Sequence, residues 1–410
     1  MNSGVAHLSA NWFNFHKPYR HLPEWASPNI SMQKTQAVRR PTLLLAVAAA
    51  ALLVACGGGS SPTDTDTPTD TGTTTSTGKE IFTGGGGSSS TTTGTTTTTG
   101  TTTSTGTSVT PIVTATPPAP SYSAQSEELV AFNTFNTARA GCGFGYLQQS
   151  ALLDKSALNH AVWEIKNNTF SHNEISGTVG YTGQRSGDRI SAAGYPLTGP
   201  AQWGEANATI SANQAGYGLS GARMLLSAPY HLQLLMLGFR EIGLSIKTGG
   251  PIGSGADIEF AGSSSVTQLV ANLASNSERP AQSQASADVL TYPCAGVVDT
   301  ATALYGEIPN PIPDRDLLTN PVGMPVYIQA LAGQVLVITS SSIVKTSDAS
   351  PVLLAVTMTS ANDPHSHLTS SQAFLIPNAP LAANTQYTVV IQGTNNGALF
   401  LKNFTFTTGT

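Results

Sequence analysis

The chain has 410 residues, with 18 Lys or Arg against 23 Asp or Glu and a formal charge of −5. That sign repels phosphate backbones, and no basic cluster offsets it, so nucleic-acid binding through counterion release is disfavoured. Hydrophobic residues make up 40% of the sequence, but 40 Gly, 25 Pro and long Thr and Ser runs confine any packable core to part of its length.

Residues 1–31 form an aromatic, His-containing segment that reads as an upstream extension, with Met32 as the working start. Residues 32–55 then present Lys34, Arg39 and Arg40 followed by 13 apolar or small residues from Leu43 to Ala55. A bilayer span needs about 20 such residues, so this is a signal peptide and not a permanent helix. Pro41 and Thr42 do not continue a twin-arginine pattern, which leaves the general secretory route. Leu53-Val54-Ala55-Cys56 resembles the lipobox of bacterial lipoproteins. The resemblance implies cleavage before Cys56, a diacylglycerol on its thiol, and an extracytoplasmic protein anchored in a membrane, at the outer membrane or cell surface. Cleavage removes five basic residues and one acidic residue and leaves a formal charge of about −9. It also leaves Cys142 and Cys294 as an even pair in an oxidising compartment, where a disulfide between them is expected.

Residues 56–120 are almost entirely Gly, Ser, Thr, Pro and Asp and read as a linker with a reach of roughly 40 to 45 Å. Beyond it, about 290 residues divide into two domains, 121–298 and 299–410. In the first, Leu129, Phe132 and Phe135, then Leu153, Leu158, Ala161, Val162 and Ile165, recur at helical spacing around a Gly-rich turn at Gly141 to Gly145. A further helix is indicated at about Ser220 to Leu226, resuming past Pro229. Ile242, Leu244 and Ile246 alternate as a strand, and Ile258, Phe260 and Val266 suggest more. Helices outside and strands between make an α/β layered domain.

After about Thr300 the pattern changes to short strands at Val326 to Ile328, Val335 to Ile338, Leu353 to Met358 and Tyr387 to Ile391. Tyr387, Val389 and Ile391 share one face. Gly393 to Gly397 reverses the chain, and Phe400, Phe404 and Phe406 share a face of the return strand, as in a β-sandwich.

Three polar residues stand beside Gly, Pro or Ser at the edges of elements in the first domain: His172, Glu205 and His231. Two imidazoles and a carboxylate suit a divalent metal such as zinc with an open position. His160 falls within an apolar helical pattern and reads as a core histidine. His365-Ser366-His367 follows Asp363-Pro364 and reads as an exposed polar turn. No Ser-His-Asp, Cys-His or phosphate-cradling glycine pattern appears.

Phe132-Asn133-x-Phe135-Asn136-x-x-Arg139, Asn159-His160-Ala161, Phe170-Ser171-His172, Gly187-Asp188-Arg189-Ile190 with Ala193-Gly194-Tyr195, Gly204-Glu205, Ser227-Ala228-Pro229-Tyr230-His231 and Phe239-Arg240-Glu241-Ile242-Gly243 occur in the order of the CAP superfamily. These blocks cover about residues 123 to 270 and resemble its bacterial, SCP-like extracellular branch. The resemblance implies a three-layer α-β-α sandwich with a central cleft in which His172, Glu205 and His231 match three of four cleft residues. Two departures are plain. Ala206 stands where the family has Asn after the cleft Glu, which suggests a shifted or bulged strand, and no Glu matches the fourth position between Ala212 and Ser227. Pro377 to Leu381, Ala383 to Val389 and Phe404 to Gly409 resemble bacterial immunoglobulin-like domains. The leading expectation is a non-enzymatic binding protein whose cleft takes a small hydrophobic, glycan or protein ligand and requires no cofactor. A metal-assisted hydrolase of envelope peptides or glycans and an adhesin or envelope spacer are the alternatives.

Overall fold

The computed structural model describes residues 110–211, 216–262, 264–284 and 288–410, with two-residue strand pieces at Val54–Ala55 and Lys79–Glu80. The expected upstream extension and lipidation at Cys56 lie outside the described residues, as does most of the signal peptide and linker. Thr110–Pro111 already pair with Gln282–Ser283, and Val113 N–H donates to Gln282 Oε1 at 2.9 Å, so the chain is tied to the folded body ahead of residue 121.

The α1 helix, Glu127–Gly141, starts at Ser126, whose hydroxyl accepts from Leu129 N–H at 3.2 Å, and carries Glu127 and Glu128 in its first turn. Its apolar side buries Phe132 and Phe135. Its polar Asn136 and Arg139 are buried too, because they hold the following Gly-rich turn. Asn136 bonds Leu147 through both backbone groups, and Arg139 donates to the carbonyls of Gly145, Phe144 and Leu237 at 3.0, 2.8 and 2.8 Å. Burial lowers the Arg139 pKa to about 9. That turn leads through β1 (Gln148–Gln149) into α2 (Ala151–Lys166).

Next come α3 (Ser186–Ala192), β2 (Gln202–Ser211), α4 (Tyr217–Ser227), α5 (Pro229–Met236), β3 (Glu241–Pro251), β4 (Ile258–Phe260) and β5 (Val266–Ser275). Strand β5 lies between β2 and β3 and is antiparallel to both, while β1 and β4 run parallel to β3. Helices cover both faces of this sheet. On one side Leu153, Ala157 and Ala161 of α2 and Ile190 of α3 meet Trp203, Val270 and Ala274. On the other, α1, α4 and α5 bury Ala206, Ala208, Ile210, Leu269 and Leu273. The pairing of β2 with β5 runs unbroken from Gln202 to Ser211, so the bulge expected at Ala206 is absent: Ala206 packs under α5's side and Asn207 faces α2.

The strands beyond residue 288 all pair antiparallel. One sheet contains β6 (Leu290–Tyr292), β7 (Val326–Gln329), β10 (Gln372–Pro377) and β9 (Leu354–Thr359), in that order. A second contains β8 (Leu336–Lys345), β11 (Gln386–Asn395) and β12 (Ala398–Thr407). The β11–β12 hairpin is tighter than the sequence suggested. Its strands extend to Asn395 and Ala398, and Asn396-Gly397 alone turns the chain with φ of 47° and 81°. Tyr387, Val389, Ile391, Phe404 and Phe406 are buried, as their alternation requires.

One hydrophobic cluster runs through both regions, from Phe135 and Leu235 to Tyr327 and Phe374. Phe144 stacks on Tyr327 with centroids 6.1 Å apart, and the Cys142–Cys294 disulfide ties the end of α1 to the segment after β6.

Candidate functional site

Strand β2 alternates, so Gly204, Ala206 and Ala208 enter the apolar layer while Trp203, Glu205 and Asn207 point toward α2. Glu205 is thereby buried with a charge to satisfy. Its Oε1 accepts from Arg189 Nη2 at 2.6 Å and His172 Nδ1 at 2.9 Å, with His160 Nε2 at 3.5 Å. Burial opposes ionisation of this carboxyl, but Arg189, then His160 and His172, hold it well below the usual carboxylate range.

Arg189 is wholly buried on α3 and also donates to the carbonyls of His172, Gly183 and Gln184 at 2.9, 3.3 and 3.2 Å. It therefore fixes both the Glu205 carboxylate and the backbone that carries His172. Glu174 closes the same loop. Its Oε2 accepts from Thr182 and Gly183 N–H at 2.6 and 3.2 Å, and its Oε1 faces His160 Nδ1 at 3.0 Å.

His160 is a core residue with both ring nitrogens engaged, Nε2 on the Ser171 carbonyl at 2.9 Å, and it is also a wall of this cluster. Burial and then Arg189 lower its pKa against Glu205 and Glu174. Two acceptors facing two ring nitrogens need a hydrogen on each, so the neutral ring favoured by burial leaves one contact without its proton. Glu164, one turn further along α2, accepts from Ser171 N–H at 3.2 Å and Asn207 Nδ2 at 3.3 Å. Burial and neighbouring Glu205 push its pKa well above the ordinary value. Within one buried cluster, the two carboxyls are thus shifted in opposite directions, Glu205 down and Glu164 up.

His231 approaches from the other direction, in the first turn of α5. Pro229 opens that helix and Ala228 has no side chain with which to cap it. Glu307 supplies the cap from the β-rich region: its Oε1 accepts from the N–H groups of Tyr230 and His231 at 2.9 and 3.0 Å and from His231 Nδ1 at 2.8 Å. Burial, with Asp363 adding to it, raises the Glu307 pKa well above the ordinary value against the pull of those backbone donors. The His172 and His231 rings lie 6.4 Å apart, centroid to centroid, and are inclined by 26°.

The structure therefore brings His172, Glu205 and His231 into one neighbourhood, with direct contact between the first two. Each imidazole has its own carboxylate, Glu205 or Glu307. Among the described residues, no group of three or more His, Cys, Asp or Glu has the arrangement of a metal centre. Arg189, Glu164, Glu174 and Glu307 carried no role in the sequence reading. The spacing of His160 and Glu164 by four on a helix is the one signal that would have paired any of them.

The turn at His365-Ser366-His367 is a loop, as expected, with Ser366 exposed and His365 half-buried, but His367 is buried. Tyr230 of α5 donates to Asp363 Oδ1 at 2.6 Å, and its ring meets His367 edge to face at 4.6 Å. A separate groove opens near the far end of α5, lined by apolar and polar residues alike, among them Phe144, Met236, Leu290, Gln282, Gln329 and Gln372. No protein-family model matches the chain, and no curated protein matches it.

Proposed function

We propose that this chain is an exported lipoprotein, anchored through Cys56, whose α/β layers form a CAP domain and whose β-rich end forms an immunoglobulin-like module. On this reading it binds a small hydrophobic, glycan or protein ligand at the outer membrane or cell surface and does not transform it. The observation that carries the binding reading is the condition of Glu205. A carboxylate that holds a buried guanidinium at 2.6 Å and an imidazole at 2.9 Å, and is kept strongly acidic by them, is a poor general base. What remains is a rigid polar wall bearing two neighbouring imidazoles.

Mass spectrometry of protein purified from its own envelope is expected to reveal a copurifying lipid or glycan that His231→Ala loses and Glu205→Gln keeps. An empty spectrum from the parent protein sinks the small-ligand form of this reading. Separately, Cys56→Ala is expected to move the protein from the membrane to the soluble fraction.

One observation favours the metal-assisted alternative. On both rings Nδ1 lies against a carboxyl oxygen, at 2.9 Å for His172 and 2.8 Å for His231, the arrangement by which outer carboxylates orient metal-bound histidines. His172 and His231 would then hold zinc, while Glu205, occupied by Arg189, would orient His172 in place of acting as a ligand. Elemental analysis after zinc loading checks this: no bound zinc at micromolar supply removes the hydrolase.

A further inference from the structure

We propose that the β-rich C-terminal region is a working part of the cleft: Glu307 is a positioning residue that sets the ring orientation and tautomer of His231. The inference rests on His231 belonging to the ligand site described above.

The local sequence cannot do this work itself. Ala228 occupies the N-cap position of α5 with cap-like dihedrals, φ −97° and ψ 114°, but offers no acceptor, so the N–H groups of Tyr230 and His231 need one from elsewhere. Glu307 reaches them from 76 residues along the chain, and the same oxygen that caps the helix accepts His231 Nδ1–H. One carboxylate thus fixes the backbone of the first turn and the rotation of the ring it carries. Glu307 is in turn held by docking of the surrounding β region on α5. There Tyr230 bonds Asp363, and Gln233 Nε2 donates to the His367 carbonyl at 2.9 Å and to Gln372 Oε1 at 2.8 Å. A spacer would touch the preceding domain without specifying a residue of its site. This region specifies one.

The test separates helix capping from histidine positioning. Nitrogen-15 NMR of the imidazoles in the mature protein is expected to show His231, assigned by its loss in His231→Gln, as a single tautomer with a basic Nε2. In Glu307→Ala that pattern should give way to a mixture, together with a lower thermal midpoint. Adding Ala228→Ser to Glu307→Ala restores a cap and is expected to recover the midpoint without restoring the tautomer. Glu307→Gln keeps an acceptor oxygen and is expected to keep the parent pattern. A single Nε2-basic tautomer in the Ala228→Ser, Glu307→Ala double variant overturns the proposal, and so does loss of the pattern in a folded Glu307→Gln protein. These spectra need no ligand, so they stand apart from failure of the binding reading, which shows as a ligand retained by His231→Ala.

Discussion

The two faces of the central sheet are both buried under helices, yet one is apolar and the other carries a polar stripe between apolar clusters. On one, Ile210, Leu269, Leu273 and Ile242 meet Phe135, Leu225 and Leu235, and removal of apolar surface from water supplies the stability. On the other, Glu205, Asn207 and Asn272 meet Ser156, His160 and Glu164, which repeat every four residues along α2 and so form one stripe. Several atoms in that layer have no hydrogen-bond partner, among them Glu164 Oε2, Glu205 Oε2, Ser156 Oγ and both side-chain polar atoms of Asn272. Burying such a network costs desolvation that an apolar layer of the same volume does not incur. Both layers bury apolar surface, and the contrast places the chemical specificity of this domain in the one that carries the polar stripe.

The largest effect that could break the contrast comes from the charged side. Arg189→Met leaves Glu205 and Glu174 without their guanidinium and is expected to destabilise the protein by about 3 to 5 kcal/mol in urea unfolding. Adding Glu205→Gln should recover much of that. A single-variant loss below about 1 kcal/mol would show that the face is not a coupled network. On the apolar side, Leu225→Ala removes a wholly buried side chain and is expected to cost about 2 to 5 kcal/mol, with no compensating second change on the charged face.

A smaller effect is expected from acid. Burial holds the His367 pKa down to about 4 from 6.5, with Asp363 opposing and His365 adding to the shift. A histidine lowered in the folded state contributes stability that is complete above 6.5 and drains away as pH falls toward 4. The contribution of Glu205, a carboxyl held below its ordinary value, is lost only at lower pH still. As pH falls through this range His367→Phe, which keeps a ring against Tyr230 without the titration, should gain on the parent in thermal midpoint, the raised Glu164 and Glu307 carboxyls acting in the opposite sense in both proteins. Equal slopes would remove His367 as the cause. The smallest effect is a control on neither face: Ser126→Ala deletes the α1 cap and is expected to cost about 1 kcal/mol.

The helices and hairpins that repeat their apolar residues at one regular interval were legible in the chain. α1, α2 and β11 fall where Phe132 and Phe135, Leu153 to Ile165, and Tyr387 to Ile391 placed them. Strand β10 was not, because all six of its residues are buried and a strand covered on both sides shows no alternation. The short α3 was missed as an element for want of length, although its residues were quoted. In the candidate site, His172 and His231 were legible as polar residues at element edges, whereas Glu205 lies within β2 and not at its edge as expected. Arg189 and Glu307 were not legible, since a charged residue reads as solvated until its partners, distant in sequence, bury it.

The Cys142–Cys294 bond spans 152 residues and crosses from the α/β layers to the β-rich region. A link of that kind closes only where thiols are oxidised, and the entropy it removes from the open chain is worth roughly 3 to 5 kcal/mol. A copy held back in the reducing cytosol would therefore be a looser object than the finished protein, easier to thread through a narrow pore and easier for proteases to clear. On the export reading proposed above, the crosslink makes final rigidity an event that follows delivery.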